Sequence, residues 1–174
     1  MSLLLALLLQ TEWPTLHGDL QRSGFYEKLP TEGLKVVWRK ELWKELTGPR
    51  AEVIVGGGLA YMGTYAGRMI AWDAVSGEER WVVTTGGPIG HSPVYSNGVI
   101  YFGSMDRRLY AVEVVSGKVR WSNELAEGIW SSPVVAGGNV IVGARDGVLC
   151  AFTTAAGTPV WRLATGGPIL GSPS

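Results

Sequence analysis

The chain has 174 residues, no net charge and 17% charged side chains, whereas 46% of its residues are apolar. This apolar content and the eight tryptophans exclude a disordered chain. The balanced charge offers no basic face for nucleic acid. The 25 glycines are about twice the usual share of ~7%. Turns at regular spacing would explain that excess and would predict an all-β repeat protein.

Residues 1–10 form an apolar run that is too short for a membrane span, because a transmembrane helix needs about 20 such residues. The run is similar to the apolar region of a secretory signal, although it has no positive n-region and no clear cleavage site. We interpret it as a clipped signal peptide. The alternatives are a start-site artefact or a short apolar helix. The signal interpretation predicts a periplasmic or secreted protein whose mature chain begins near Thr11.

An internal repeat of about 40 residues follows, a period that is typical of propeller blades and other repeat architectures. Residues 54–93 match residues 94–133 at 13 of 40 positions without a gap. Chance would give roughly two or three matches at ordinary residue frequencies. The tryptophans Trp81, Trp121 and Trp161 mark the same position in three successive units.

One unit divides into four short strands. A strand begins at residues 92–95 and is followed by an Asn-Gly turn, which favours a hairpin. Residues 99–103 and 108–113 are rich in β-branched and aromatic residues, and residues 118–121 alternate polar and apolar. No helical period occurs over ten or more residues. Four antiparallel strands within each unit predict one propeller blade.

The second half of each unit carries the pattern A-x-[DE]-x-x-S-G-x-x-x-W. Its alanine leaves room between sheets, its acid accepts turn hydrogen bonds, its glycine allows positive φ, and its indole N–H needs a partner. The third copy departs, with Thr153 in place of the acid and Ala156 in place of the serine. The residues that we assign to this structural pattern, with Trp38 as an additional tryptophan, are Trp38, Ala71, Asp73, Gly77, Trp81, Ala111, Glu113, Gly117, Trp121, Ala151, Gly157 and Trp161.

This pattern resembles the tryptophan-docking repeat of the quinoprotein, or PQQ-repeat, β-propeller family. The resemblance covers about residues 31–174. It implies an all-β fold of four-stranded antiparallel blades. A weaker likeness to the N-terminal segment of secreted members of the family lies in residues 13–24.

The spacing predicts about three complete blades, so the fold is a partial propeller. We divide the chain into residues 1–10, an N-terminal segment of residues 11–33, and propeller repeats over residues 34–174. The predicted parts of the repeat region are an outer strand at 34–41, blades at about 51–86, 87–126 and 127–166, and the start of a fourth blade at 167–174. Unclosed blades leave sheet faces and edges bare. We therefore expect either a fragment of a longer protein, which we favour, or self-association.

The positions just before each first strand are expected to line the propeller axis or its rim. They are occupied by Arg50, Gly90-His91, Trp130-Ser131 and Leu170, and of these we select Arg50, His91, Trp130 and Ser131 as candidate interaction residues. His91 has the chemistry of a base or ligand, and Trp130 that of a stacking surface or partner anchor. For His91 we favour the alternative of a surface or channel histidine without function, and for Trp130 we favour packing between blades.

Two further features have structural alternatives. Asp106-Arg107-Arg108 and Arg145-Asp146 occupy one turn of successive blades, where they form either a charged rim for a partner or ordinary turn chemistry, which we favour. Cys150 is the single cysteine, and its apolar neighbours favour a core residue over a reactive thiol.

These features predict a non-catalytic propeller domain that acts as a protein-interaction scaffold outside the cytoplasm. The expected partner is a protein or a second copy, with no nucleic acid and no membrane span. We assign no catalytic, cofactor or metal residues. The alternative is a fragment of a quinoprotein dehydrogenase, which the resemblance would supply with pyrroloquinoline quinone (PQQ) and calcium. A third possibility is the sensor half of a larger signalling protein.

Overall fold

The computed structural model describes residues 2–4, 14, 36–42, 45–46 and 51–173. Strands are the regular elements of this part of the chain, which contains no α-helix. They are β1 Ser2–Leu4, β2 Arg39–Glu41, β3 Ile54–Gly56, β4 Leu59–Gly63, β5 Arg68–Asp73, β6 Glu79–Thr84, β7 Val94–Ser96, β8 Val99–Gly103, β9 Arg108–Glu113, β10 Val119–Glu124, β11 Val134–Ala136, β12 Asn139–Gly143, β13 Val148–Thr153 and β14 Pro159–Ala164.

Three antiparallel sheets of four strands form the body of the molecule, and each is built from consecutive strands. Their orders are β3-β4-β5-β6, β7-β8-β9-β10 and β11-β12-β13-β14, which we call blades 1, 2 and 3. Strand β7 lies beside β3 on one side and β11 on the other, so the first strand of each blade is the innermost. The predicted fold, an all-β partial propeller of four-stranded blades, is confirmed.

A short two-stranded sheet lies outside the blades. Residues 2–4 pair antiparallel with Arg39–Glu41, although the sequence interpretation set residues 1–10 outside the fold. Of the outer strand predicted at 34–41, the described part is extended into a strand only from Arg39. The N-terminal segment also contacts blade 2, where the Tyr95 amide donates to the Pro14 carbonyl at 2.7 Å.

The first two strands of every blade are joined by a two-residue turn. In blade 2 the turn is Asn97-Gly98, with φ values of 49° and 77°. Gly57-Gly58 and Gly137-Gly138 occupy the same place in the other blades and also have positive φ. Two positive φ angles define the type I′ turn, whose twist matches that of the flanking strands. Part of the glycine excess is therefore explained by turns that require positive φ angles.

The strand register gives each blade two faces of different composition. In blade 1, Tyr61 pairs with Ala71 and Ala71 with Trp81, so the three side chains share one face. We call this the trailing face, because it meets blade 2. The opposite, leading face of blade 1 carries Met62 and Ile70, which are buried. Both faces are apolar because each lies between two layers.

The outer-strand indole of one blade stands against a turn of the next. The Trp81 Nε1 atom donates to the Val114 carbonyl at 2.8 Å, and the Trp121 Nε1 atom donates to the Thr154 carbonyl at 3.1 Å. Trp38 makes the same contact with the Ala74 carbonyl at 3.0 Å. Each ring also packs on a glycine with positive φ three positions after that carbonyl, namely Gly77, Gly117 and Gly157. A side chain at these glycines would occupy the space of the ring.

The acid of the repeat pattern organises the turn that receives the indole. The Asp73 carboxylate accepts from the amides of Ser76 and Val75, and these hydrogen bonds lower the pKa of Asp73. In the third copy the Thr153 hydroxyl instead accepts from the Thr158 amide at 3.0 Å. The backbone bond from Gly157 to the Thr153 carbonyl is kept at 2.9 Å. The turn therefore tolerates loss of the acid, because its main-chain bonds remain.

We predict that Gly117→Ala destabilises the protein more than Gly98→Ala. Both glycines have positive φ, 67° and 77°, so both substitutions carry a similar backbone strain. A Cβ atom at Gly117 would lie 2.6 Å from Trp81 Cγ, whereas nothing lies within 4 Å of one at Gly98. Displacing the ring should cost a further ~1–3 kcal/mol, as overpacked cores do. Urea unfolding measures both free energies, and equal losses would contradict the contact.

Candidate functional site

Each segment that joins two blades contains one isoleucine, and this isoleucine anchors the segment to the preceding blade. The Ile89 amide donates to the Thr64 carbonyl at 2.9 Å, and the Ile129 amide donates to the Ser104 carbonyl at 3.1 Å. The side chain of Ile129 packs on Gly103, where a Cβ atom would come within 2.1 Å of it. The residue after each isoleucine is therefore held at a constant place relative to the blades. These residues are Gly90, Trp130 and Leu170.

A second set of positions lies in the turn between the second and third strands of each blade. Tyr65, Met105 and Arg145 occupy this position in three successive units. The Met105 amide donates to the Pro88 carbonyl at 2.9 Å, and the Arg145 amide donates to the Gly128 carbonyl at 3.1 Å. The turn of one blade is thus bonded to the segment that enters it from the preceding blade. The backbone hydrogen bond therefore recurs at this turn position, whereas the side chain changes from unit to unit.

Three rings meet where these two sets of positions converge. The Trp130 ring lies 5.6 Å from the Tyr65 ring and 5.7 Å from the His91 ring, the latter edge to face. Gly90 makes the approach possible, since a Cβ atom there would lie 2.6 Å from Trp130 Cη2. Ring centroids at such distances give favourable edge-to-face and tilted contacts. The structure therefore brings two of the predicted residues, His91 and Trp130, into one aromatic cluster.

The residues predicted to line the propeller axis do not share one environment. Ser131 is buried, and its hydroxyl donates to the Gly143 carbonyl at 2.9 Å and accepts from the Gly143 amide. Its hydroxyl is therefore engaged within blade 3. Arg50 lies outside the described residues. His91 is largely buried against Trp130.

An open recess of about 310 Å³ lies beside the Trp130 ring. Its lining residues are Met105, Trp130, Arg145 and Leu170. They belong to the same two sets of positions as Tyr65 and Trp130 of the aromatic cluster, so the recess continues that cluster one blade further on. Arg145 and Leu170 are exposed at its border. The recess offers apolar surface and one cation to an external group.

The charged turn residues, for which we favour ordinary turn chemistry over a rim for a partner, mostly make contacts within the chain. The Asp106 carboxylate accepts from the Gly86 amide at 2.9 Å and from the Tyr110 hydroxyl at 2.6 Å. Burial, followed by this hydrogen bond to Asp106, raises the pKa of Tyr110. Arg107 and Arg108 both pair with Glu124 at 3.0 Å. Arg145 differs from them because it borders the recess.

Sequence reasoning found His91, Trp130 and Arg145 but missed Tyr65 and Met105. Their repeat positions could have identified these two residues. Tyr65 lies two repeat units before Arg145, and Met105 lies one unit before it. An isolated aromatic or methionine in a strand-rich sequence resembles a core residue, which hides that signal. Only the fold shows that the turn position approaches the segment between blades.

Neither a cluster of potential metal ligands nor a membrane-spanning helix occurs among the described residues. No group of three or more His, Cys, Asp and Glu side chains lies close enough together to hold a metal ion in that part of the chain. Over the same residues, no helix has the length and apolar character needed to cross a membrane.

The fold defines a partial β-propeller with blades of the PQQ-repeat kind. A family model described as "Outer membrane protein assembly factor BamB" matches residues 31–114 and 86–174, and the chain belongs to this family of PQQ-repeat propellers. A comparison with curated proteins gave no match.

Solved structures show the same architecture. BamB from Moraxella catarrhalis superposes with a TM-score of 0.63 and 25% identity over 74% of this chain and 40% of its own. Quinohemoprotein alcohol dehydrogenase from Comamonas testosteroni superposes with a TM-score of 0.76 and 22% identity over 87% of this chain and 27% of its own. The chain therefore spans well under half of the length of these relatives. The second likeness, with its lower identity, shows the fold alone.

We predict that the Cys150 thiol is unreactive in the native protein. The residue is 1% exposed, and burial raises the pKa of its thiol. Since the thiolate is the reactive form, a disulfide reagent at pH 8 should react at least ~100-fold more slowly than in unfolding urea. Absorbance of the released thiol measures both rates. Native reaction at the unfolded rate would place Cys150 at the surface instead.

Proposed function

We propose that this chain is a non-catalytic PQQ-repeat propeller domain that binds a protein partner outside the cytoplasm. The observation that carries the proposal is the recess beside Trp130, where apolar surface and an arginine cation are offered together. Trp and Arg are enriched among the residues that dominate protein–protein affinity, and such residues lie in partly enclosed apolar sites. Leu170 extends the apolar surface, and its side chain is 47% exposed.

The arrangement of the scaffold supports the same function. The positions that line the recess vary among units, while the glycines and isoleucines that hold them recur. A repeated framework with variable side chains at one place suits recognition, because the side chains can change without loss of the fold. Contacts made by rigid turns also bind with little loss of conformational entropy.

The family supports an interaction role and a location outside the cytoplasm. The matching model is described as an outer membrane protein assembly factor, a description that names a role towards other proteins at a membrane. A signal peptide at residues 1–10, as the sequence interpretation has it, would agree with this location, whereas in the structure residues 2–4 pair with Arg39–Glu41. The partner and the compartment of the present chain are part of the proposal.

The dehydrogenase alternative rests on fold likeness. The quinohemoprotein alcohol dehydrogenase superposes on a larger share of the chain than BamB does, 87% against 74%. A calcium ion takes 6–8 oxygen ligands, often from several carboxylates. The described residues bring no three carboxylates together, so this part of the chain supplies no carboxylate cluster for calcium.

The interaction proposal predicts that Trp130→Ala weakens partner binding. The immobilised chain is exposed to an envelope extract of the source organism, and retained proteins are identified and titrated. Truncation of a central Trp should cost about 2 kcal/mol or more, which is a loss of about 30-fold in affinity. The control is Val115→Ala, because Val115 is 94% exposed in an outer turn. A partner that binds wild type and Trp130→Ala equally would contradict the assignment of the recess.

The two functions also differ in their response to cofactor. Titration of the chain with PQQ in the presence of calcium should leave the quinone absorbance unchanged and should not raise the melting temperature. Binding in the micromolar range would contradict the scaffold proposal and favour the dehydrogenase. A ligand at about 100 times its dissociation constant stabilises a fold by about 2.7 kcal/mol, so the thermal shift is a sensitive readout.

A further inference from the structure

The recess beside Trp130 has a cause in the order of side chains along the repeat. Gly90 has no side chain, so the Trp130 ring crosses the segment before blade 2 and reaches Tyr65. Leu170 has the position of Trp130 one unit later, but there the position of Gly90 is taken by Trp130 itself. The indole blocks the same crossing by Leu170. A space of about 310 Å³ is therefore left open beside these two side chains.

Two further walls of the recess are held by contacts with the framework. The Ile169 amide donates to the Ala144 carbonyl at 3.2 Å, as the isoleucine amides of the earlier units do, so Leu170 stands at its repeat position. The Met105 thioether packs on Gly128, where a Cβ atom would lie 2.9 Å from the Met105 Sδ atom. The shape of the recess thus follows from contacts between blades and the segments that join them.

One unit earlier, the corresponding space is filled from within the chain. The indole of Trp130 lies there, over Gly90 and 5.6 Å from the Tyr65 ring. At the recess, Met105 has the turn position that Tyr65 has in that unit. The repeat therefore already contains an aromatic ring held between a turn side chain and a joining segment.

Three of the four lining side chains are of kinds that pair with aromatic rings. The Trp130 indole offers a stacking surface, and the Met105 thioether makes favourable sulfur–aromatic contacts. The Arg145 guanidinium is a cation that attracts the negative face of a ring. Arg145 is exposed, and its side chain forms no ion pair within the part of the chain that the structure describes. Its charge is therefore available to an external ring.

A carboxylate would use the same recess less well. It would meet one exposed guanidinium, and exposed ion pairs contribute little to affinity. Asp146 directly follows Arg145 in the turn and would repel a second anion. Met105 and Leu170 would remove water from the anion without offering it a hydrogen bond. The lining thus favours an aromatic ring over an anionic group.

We propose that the recess receives an aromatic side chain of the protein partner, which stacks on Trp130 beside Met105 and Arg145. This inference rests on the partner function proposed above and adds the chemistry of the residue that the partner contributes. The volume of about 310 Å³ lies at the lower limit of small-molecule pockets, which suits a single side chain. Large aromatic residues are also enriched among those that dominate interface affinity.

The first test uses N-acetyl-L-tryptophanamide as the probe and the Met105 methyl group as the reporter. With ¹³C-labelled methionine methyls, the probe should shift the Met105 resonance upfield through its ring current, with a dissociation constant of about 1–10 mM. Met62 and Met69 are fully buried, so their resonances should stay in place and verify the fold. N-acetyl-L-leucinamide, which has no ring, should bind at least ~10-fold more weakly.

A pair of arginine variants tests the cation. Arg145→Gln should weaken binding of the tryptophan probe about two- to fivefold, because an exposed cation–π contact is lost. Arg80→Gln is the matched control, since it removes the same charge from the outer strand of blade 1, where Arg80 is 53% exposed and pairs with Asp73. Its affinity should equal that of wild type. Equal losses in both variants would contradict a contact between Arg145 and the ring.

Competition separates this inference from the partner function. The tryptophan probe should release a protein that the immobilised chain retains through Trp130. A retained protein that is lost with Trp130→Ala but is not released by the probe would overturn the aromatic inference and leave the partner function standing. Probe binding without any retained protein would overturn the partner function and leave a free aromatic compound as the ligand.

Two results with the probes alone would also overturn the inference. One is an unchanged Met105 methyl resonance up to the solubility limit of the tryptophan probe. The other is tighter binding of the N-acetyl-L-glutamic acid α-amide than of the tryptophan probe, which would assign the recess to a carboxylate.

Discussion

The packing of one indole on the glycine turn of the next blade is the contact on which the array depends. A four-stranded sheet of this size has two apolar faces and cannot bury either of them alone. The Trp81 ring covers Gly117, and its N–H reaches the Val114 carbonyl at 2.8 Å. A large apolar area and a directional bond are thus combined in one side chain. The bond fixes the relative position of two sheets that apolar packing alone would allow to slide.

This constraint explains which residues recur and which vary. The alanine beside each indole and the glycine beneath it recur because the ring leaves no room for a larger side chain. At the turn position of Tyr65, Met105 and Arg145 the backbone bond recurs, but the side chain is free to change. Function on such a scaffold is therefore found at the positions that break the repeat. The cluster around Trp130 and the recess beside it are built from those positions.

The fold was largely predictable from sequence because its determinants are local and repeat. Asn97-Gly98 signals its turn, and the strand Val99–Gly103 has the expected β-branched composition. The site was predictable only in part. His91 and Trp130 were found from their position in the repeat, but the contact of Trp130 with Tyr65 is distant in sequence and depends on how blades are stacked. Pairing of residues 2–4 with Arg39–Glu41 was not predicted, because an apolar run carries no information about its strand partner.

The same stacking of blades sets the geometry of the site. Trp130 begins in the segment that enters blade 3, packs over Gly90 before blade 2 and reaches Tyr65 in blade 1. Its position is therefore set by two interfaces between blades, each held by one indole hydrogen bond. A shift of blade 3 relative to blade 2 would move the Trp130 ring away from Tyr65 and change the shape of the recess.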